Sequence, residues 1–148
     1  MQIHTLLVER MNEYFRAGLA LDVDRLDTLY DASFENVRTD EAGRTLTLTK
    51  AHFMAQFRMM RAQGRPPADS VDDARFLTST AYGDVASVIV RREEDGVSAV
   101  YNFVWRMREG RPTTLLREFS VERDISVLIH AVEAANATHQ YFSCGSRR

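Results

Sequence analysis

The order of hydropathy patterns along the chain limits its fold more than any other feature: three short helical patterns are followed by four long strand patterns joined by glycine-containing turns. The strand candidates are residues 72 to 81, 84 to 93, 97 to 108 and 113 to 123. They are separated by Tyr82-Gly83, Asp95-Gly96 and Glu109-Gly110. Glycine supplies the positive φ of tight hairpins, so this half of the chain predicts an antiparallel meander. The meander has two faces and needs a cover, and the helical patterns before it can provide one.

Those helices follow from spacing. Ile3, Leu6, Leu7, Met11, Tyr14 and Phe15 recur at three and four residues and mark one face of a helix over 2 to 18, with Gly18 as its stop. Asp22 caps a second helix whose face holds Val23, Leu26, Leu29 and Tyr30. Asp22, Asp24 and Asp27 sit near its positive end. Phe34 to Thr39 and Thr45 to Leu48 read as a short hairpin across Asp40-Glu41-Ala42-Gly43. Thr49 then caps a third helix with Phe53, Met54, Phe57 and Met60 on its stripe and Met59 at the stripe's margin, ended by Gly64 and Pro66-Pro67. After the meander, Asp124 caps a last helix bearing Ile125, Leu128, Ile129 and Val132, which fades over 135 to 138. The expected division is an α+β cone over 1–124, a helical extension over 125–142 and a disordered tail over 143–148.

Bulk properties exclude several classes. The 148 residues suit one domain, and a domain of this size buries roughly 70% of its unfolded surface. A net charge of −2 lacks the basic balance of a nucleic-acid binder. Lys50 is the only lysine among 19 basic residues; a high-GC genome is the first explanation of the arginine bias, and planar anion recognition ranks well below it. Cys144 is the single cysteine, so no intrachain disulfide can form, which fits a reducing compartment. The N-terminal apolar run is too short and polar for a signal peptide, and no window has the length of a membrane span. These features predict a cytoplasmic protein without membrane contact. The histidines His4, His52, His130 and His139 lack zinc spacing, and there is no dinucleotide or Walker motif, so no metal or cofactor is expected.

Alternation assigns faces. Val97, Ala99, Tyr101, Phe103, Trp105 and Met107 form a bulky set expected to cover the helices. Ser98, Val100, Asn102, Val104, Arg106 and Arg108 form a mixed set suited to a partner subunit, and Val88 and Val90 would extend it. On the last strand, strict alternation puts Leu115, Arg117, Phe119 and Val121 inside and Leu116, Glu118, Ser120 and Glu122 toward solvent or a rim. An inward Arg117 would need an acceptor, an internal carboxylate or a route to the sheet end.

From about residue 2 to 123 this layout resembles the nuclear-transport-factor-2-like superfamily, a cystatin-like α+β cone that includes SnoaL-like polyketide cyclases and ketosteroid isomerases. The likeness rests on element order, on Leu21-Asp22-Val23-Asp24 after the first helix, and on the passage Leu29-Tyr30-Asp31-Ala32-Ser33-Phe34. It implies a curved sheet around three helices, a deep pocket, and dimerisation through the outer sheet face. It also implies a role for Tyr14, which falls where the isomerases carry an oxyanion-binding tyrosine. Their proton-shuttling carboxylate would fall near Arg38, which stays protonated, with Asp40 two residues on at the turn. Their second oxyanion donor would fall near Tyr101 to Phe103, where no carboxylate stands. With two of three parts missing, steroid isomerase activity is not carried over. Polyketide-cyclase-like members use an Asp or His pair, for which His52 is the candidate. Epoxide-hydrolase-like members need an arginine between two aspartates; Arg38 with Asp40 gives one half of that, but the later strands offer no second inward aspartate, so that activity is not carried over.

Three readings follow. The first is a small organic ligand, anionic or carbonyl-rich, in an apolar pocket walled by Tyr14, Tyr30, Phe53, Phe57, Tyr101, Phe103 and Trp105, with Arg38 and Arg117 as polar contacts. The second is a cyclase, dehydratase or isomerase using Tyr14 with His52 or Asp40 as acid or base. The third is a non-catalytic homodimeric interaction module whose cone is filled by side chains.

Overall fold

The computed structural model describes residues 4–68, 70–94 and 96–145. Ile3, Asp95 and the last three tail residues, 146–148, lie outside the described residues. The elements run α1 (Thr5–Leu19), α2 (Val23–Leu29), β1 (Tyr30–Asp40), β2 (Thr45–Thr49), α3 (Lys50–Gln63), β3 (Arg75–Tyr82), β4 (Val85–Glu94), β5 (Val97–Arg108), β6 (Arg111–Glu122) and α4 (Ser126–Gly145). Two elements exceed their expected lengths: β1 begins at Tyr30 rather than Phe34, and α4 continues to Gly145.

Local chemistry sets the helix ends. The Asp22 carboxylate accepts from the Arg25 N–H at 3.1 Å, and Lys50 begins α3 after a reciprocal cap between Thr49 and His52. At the other end of α3, Gly64 takes φ +65 and lets Arg65 N–H reach back to the Met60 carbonyl, a conformation a side chain disfavours.

The strands form one open six-stranded sheet in the order β2-β1-β6-β5-β4-β3. Pairings are antiparallel except β1 with β6, which is parallel. The expected antiparallel meander is β3 to β6, and the parallel addition of β1 makes the sheet as a whole mixed. β1 enters beside the last strand, where the meander alone would have left a free edge.

Of the register shifts in the sheet, the one in β6 that reorders the inner face lies at Leu116. Val104 pairs with Arg117, but the next residue, Trp105, pairs with Leu115, so Leu116 is an extra residue in β6. A bulge of this kind bends the strand and shifts its parity by one. Leu115 stays inside with Trp105, while beyond the bulge Glu118 and Ser120 face inward and Arg117, Phe119 and Val121 face outward. Cross-strand pairing corrects β4 as well. Val88 sits opposite Phe103 and Val90 opposite Tyr101, so both valines belong to the inner face and are fully buried.

The core lies between this inner face and the three N-terminal helices. Leu7 and Met11 of α1, Leu26 and Leu29 of α2, and Ala86, Trp105 and Leu115 of the sheet have no exposed surface. Trp105 donates its indole N–H to Met11 Sδ at 3.2 Å and meets the Tyr14 ring edge-on at 6.3 Å. Among the described residues no helix is long and apolar enough to cross a membrane.

Candidate functional site

The bend of the sheet and the splay of α1 from α3 leave a cavity of about 340 Å³. Its apolar wall comes from Tyr14 and Phe15 of α1, Phe53, Phe57 and Met60 of α3, and Tyr101 and Phe103 of β5. Its charged groups are Arg38, Arg92, Glu118 and Glu122.

Sheet register orders these groups. Asn36, Glu118, Phe103 and Val88 occupy one rung across four strands, and Arg38, Ser120, Tyr101 and Val90 the next. Asp40 and Glu122 share the third rung. Of the cavity's charged groups on these rungs, Glu118 is buried, while the Arg38 and Glu122 side chains are about a quarter exposed. The mouth is therefore at the Glu122 end, and Glu118 lies one rung deeper than Arg38.

Glu118 is the chemically unusual group. A buried carboxylate normally has several donors or a close cation. Here Glu118 Oε2 receives a long hydrogen bond from the Tyr14 hydroxyl at 3.5 Å, and a looser approach by the Asn36 amide. Burial pushes its carboxyl up from 4.5 to about 7. The Arg38 charge, the Asn36 amide and the Tyr14 hydroxyl pull it down, and Glu122 raises it further. The Asn36 amide, although opposite Glu118, is fully buried and its Nδ2 makes no hydrogen bond of full geometry. The carboxyl can thus exist near neutral pH with or without its proton.

Tyr14 is held by a second phenol. Its hydroxyl lies 2.8 Å from that of Tyr30, which is buried behind it. If Tyr30 donates to Tyr14, the Tyr14 proton is released toward Glu118 or toward a ligand oxygen. Burial first, and then the Glu118 charge, raises both phenols well above their usual range, so each remains a donor.

The structure brings Tyr14, Arg38, Phe53, Phe57, Tyr101 and Phe103 to one cavity. It places the other candidates elsewhere. Tyr30 and Trp105 are core residues behind the wall. Arg117 is on the outer side of the bulge, where it donates to the Ser33 and Leu116 carbonyls at 2.6 Å and pairs with Glu35 at 3.2 Å. Asp40 ties the β1–β2 turn to the start of α4: it accepts from Ile125 N–H at 3.0 Å, from Arg44 Nε at 2.7 Å and from the Ala42 and Arg44 amides. The Ile125 amide above all holds its carboxyl below the usual range. A base so fully engaged cannot take a substrate proton.

His52 is also spent. Its Nδ1 accepts from Thr49 N–H at 3.0 Å and its own N–H donates to Thr49 Oγ1 at 3.3 Å, on the exposed start of α3. His52→Ala is expected to lower unfolding stability by about 1 kcal/mol in urea melts and to leave cavity binding unchanged. A change in ligand affinity beyond error would return His52 to the site.

Glu118 and Glu122 escape strict alternation because the bulge reverses their facing. The adjacent Leu115-Leu116 pair, where one leucine should have been polar, is the trace of it in the sequence.

No protein family model matches this sequence, and no curated protein matches it. Solved structures do. A protein of unknown function from Silicibacter pomeroyi, described as NTF-2 like, superposes with TM-score 0.61 at 17% identity, covering 80% of this chain and 93% of that one. An NTF2-like protein of unknown function from Shewanella baltica gives TM-score 0.56 at 15% identity, with 78% and 89% covered. An NTF2-like protein from Cytophaga hutchinsonii gives TM-score 0.55 at 14% identity, with 82% and 99% covered. Identities this low carry the architecture and nothing finer. Together with the open mixed sheet wrapped on its N-terminal helices, they establish that this chain has the nuclear-transport-factor-2-like α+β cone fold.

Proposed function

We propose that the cone binds a small, largely apolar organic molecule, with a carbonyl or hydroxyl oxygen held between Tyr14 and Glu118. The observation that carries this reading is Glu118 itself: a buried carboxylate with one long hydrogen bond, beside an aromatic-lined cavity of about 340 Å³. Leaving such a group under-bonded costs on the order of 1–3 kcal/mol, which a ligand donor would recover. The cavity volume also weighs against a cone filled by side chains. The direct test is titration with beta-naphthol, whose hydroxyl can donate to Glu118. Saturable quenching of its fluorescence, weakened about tenfold in Tyr14→Phe or Glu118→Leu, is expected. No saturable binding to the wild-type chain would remove the reading.

A specific observation favours a catalytic version. Glu118 titrates near neutrality beside a phenol that stays protonated, the pairing a proton transfer next to a carbonyl requires. The carboxylate would take the proton from carbon, and Tyr14, supported by Tyr30, would donate to the oxyanion that forms. Isomerase, dehydratase and cyclase reactions share this step. Exchange of α-protons of bound cyclic ketones in deuterated water, followed by NMR, measures it. Glu118→Gln should abolish enzyme-dependent exchange, and Tyr14→Phe should slow it by about a hundredfold. Exchange that survives in Glu118→Gln excludes this step.

The outer sheet face supports a homodimer. Val100, Phe119 and Val121 are adjacent across β5 and β6 and exposed by 41%, 39% and 55%. A two-fold contact through them would remove this patch from water. Sedimentation of Phe119→Glu against the wild-type chain distinguishes dimer from monomer.

A further inference from the structure

The cavity has two polar ends with different chemistry. The deep end holds Glu118 and the Tyr14 hydroxyl, which exchange hydrogen bonds with a neutral oxygen. The mouth end holds Arg38. Its Nε donates to Asn36 Oδ1 at 2.9 Å, which fixes the guanidinium plane. Its Nη1 is 3.8 Å from Glu122 Oε2, an ion pair without a hydrogen bond. Both Nη groups therefore retain donors, and a guanidinium edge of this kind matches a carboxylate in a two-point fork.

The other cation of the lining is differently placed. Arg92 already makes such a fork with Asp73, at 3.1 Å and 3.2 Å, donates to the Ser70 carbonyl and stands over the Phe15 ring. Arg38 lines the cavity and, among the described residues, has no carboxylate within hydrogen-bond distance. Two carboxylates, Glu118 and Glu122, flank it on β6, so a second negative charge on a ligand would meet repulsion. The Arg38 and Glu118 backbones lie one rung apart, and the Nε bond to Asn36, which shares the Glu118 rung, brings the guanidinium to the side of the carboxyl that faces the mouth.

We infer that the cone is shaped for a monoanionic ligand with two ends, a keto or hydroxy carboxylic acid on a rigid apolar frame, its carboxylate forked on Arg38 and its neutral oxygen at Glu118 and Tyr14. This rests on the ligand-binding reading above and names its substrate class. The aromatic wall of Phe53, Phe57 and Tyr101 contacts the frame, and a cavity of about 340 Å³ suits one or two fused rings.

The experiment compares beta-naphthol with 6-hydroxy-2-naphthoate, which adds a carboxylate at the far end of the same ring pair. Both are titrated by fluorescence into the wild-type chain, Arg38→Met and Glu122→Gln. In the wild-type chain the carboxylate should tighten binding by about tenfold or more, and added salt should reduce that advantage. Arg38→Met should bring the ratio of the two affinities close to one. Glu122→Gln removes the competing carboxylate and should widen the ratio several-fold, a change opposite in sign to any general loss of folding. A ratio near one in the wild-type chain overturns the inference, as does a ratio that persists in Arg38→Met or is unmoved in Glu122→Gln. So does tighter binding of naphthylmethylamine than of beta-naphthol, which would make the mouth a cation site. Failure of both naphthols to bind instead removes the ligand-binding reading on which the inference stands.

Discussion

At about pH 8, Glu118→Gln is expected to unfold with about 3 kcal/mol more stability than the wild-type chain, and at about pH 4 within about 1 kcal/mol of it. The sign follows from the direction of the shift. Burial raises the Glu118 carboxyl from 4.5 to about 7 in the folded chain. Between those values the folded state holds a proton that the unfolded state has released. Stability from this group is therefore fully present below pH 4.5 and is lost as pH rises through about 7. A shift of that size corresponds to about 3 kcal/mol at 1.36 kcal/mol per unit. The charged and titratable groups that face Glu118 are Tyr14 of α1, Arg38 and Tyr30 of β1, and Glu122 of its own strand, and none is altered by the substitution. Urea melts of both proteins across this range isolate the effect, because carboxylates shifted the other way, such as Asp40 and Asp73, are common to both. A difference that does not change with pH would mean that Glu118 is hydrated in the folded chain. The same experiment bears on function. A ligand that donates a hydrogen bond to the ionised carboxylate should restore part of the lost stability at the alkaline end, and only in the wild-type chain.

The second large effect is expected at Trp105. Trp105→Ala should cost about 3–5 kcal/mol, and Trp105→Phe distinctly less. The indole is fully buried at the centre of the inner face, hydrogen-bonded to Met11 and covered by the Arg10 guanidinium 5.9 Å from its ring centre. Alanine leaves a void between α1 and β5 that a packed interior cannot close. Because Tyr14 rests edge-on against this ring, the void also releases the phenol that faces Glu118. Trp105→Ala should therefore weaken beta-naphthol binding even below its unfolding transition, although the indole does not line the cavity. Denaturant melts and titrations on the same samples check both. A stability loss under about 1 kcal/mol would show that the core at this point is not close-packed.

Much of the architecture was legible in the chain because its signals are local. The stripe through Leu7, Met11, Tyr14 and Phe15, the caps at Asp22 and Thr49, and the stop at Gly64 depend on contacts within a few residues. The inward set Tyr101, Phe103 and Trp105 follows from an uninterrupted period of two in β5. Of the expected pocket residues, Tyr14, Arg38, Phe53, Phe57, Tyr101 and Phe103 meet at the cavity, each on a stretch whose local period is regular. Arg117 was misplaced because alternation was counted through Leu116. Asp40 and His52 have the chemistry of an acid or base, but tertiary and local hydrogen bonds consume it.

Periodicity, caps and turns are properties of neighbouring residues, and from them alone the chain specifies helices before a meander, an aromatic inner face, and Tyr14 on the side of α1 that meets it. Which charges enter the hollow is decided by pairing between distant strands. The alignment of β6 between β5 and β1 leaves Leu116 as a surplus residue, and one surplus residue turns Glu118 and Glu122 inward and Arg117 out. An inward carboxylate then gains its unusual proton affinity from burial, which exists only once helices and sheet have closed over it.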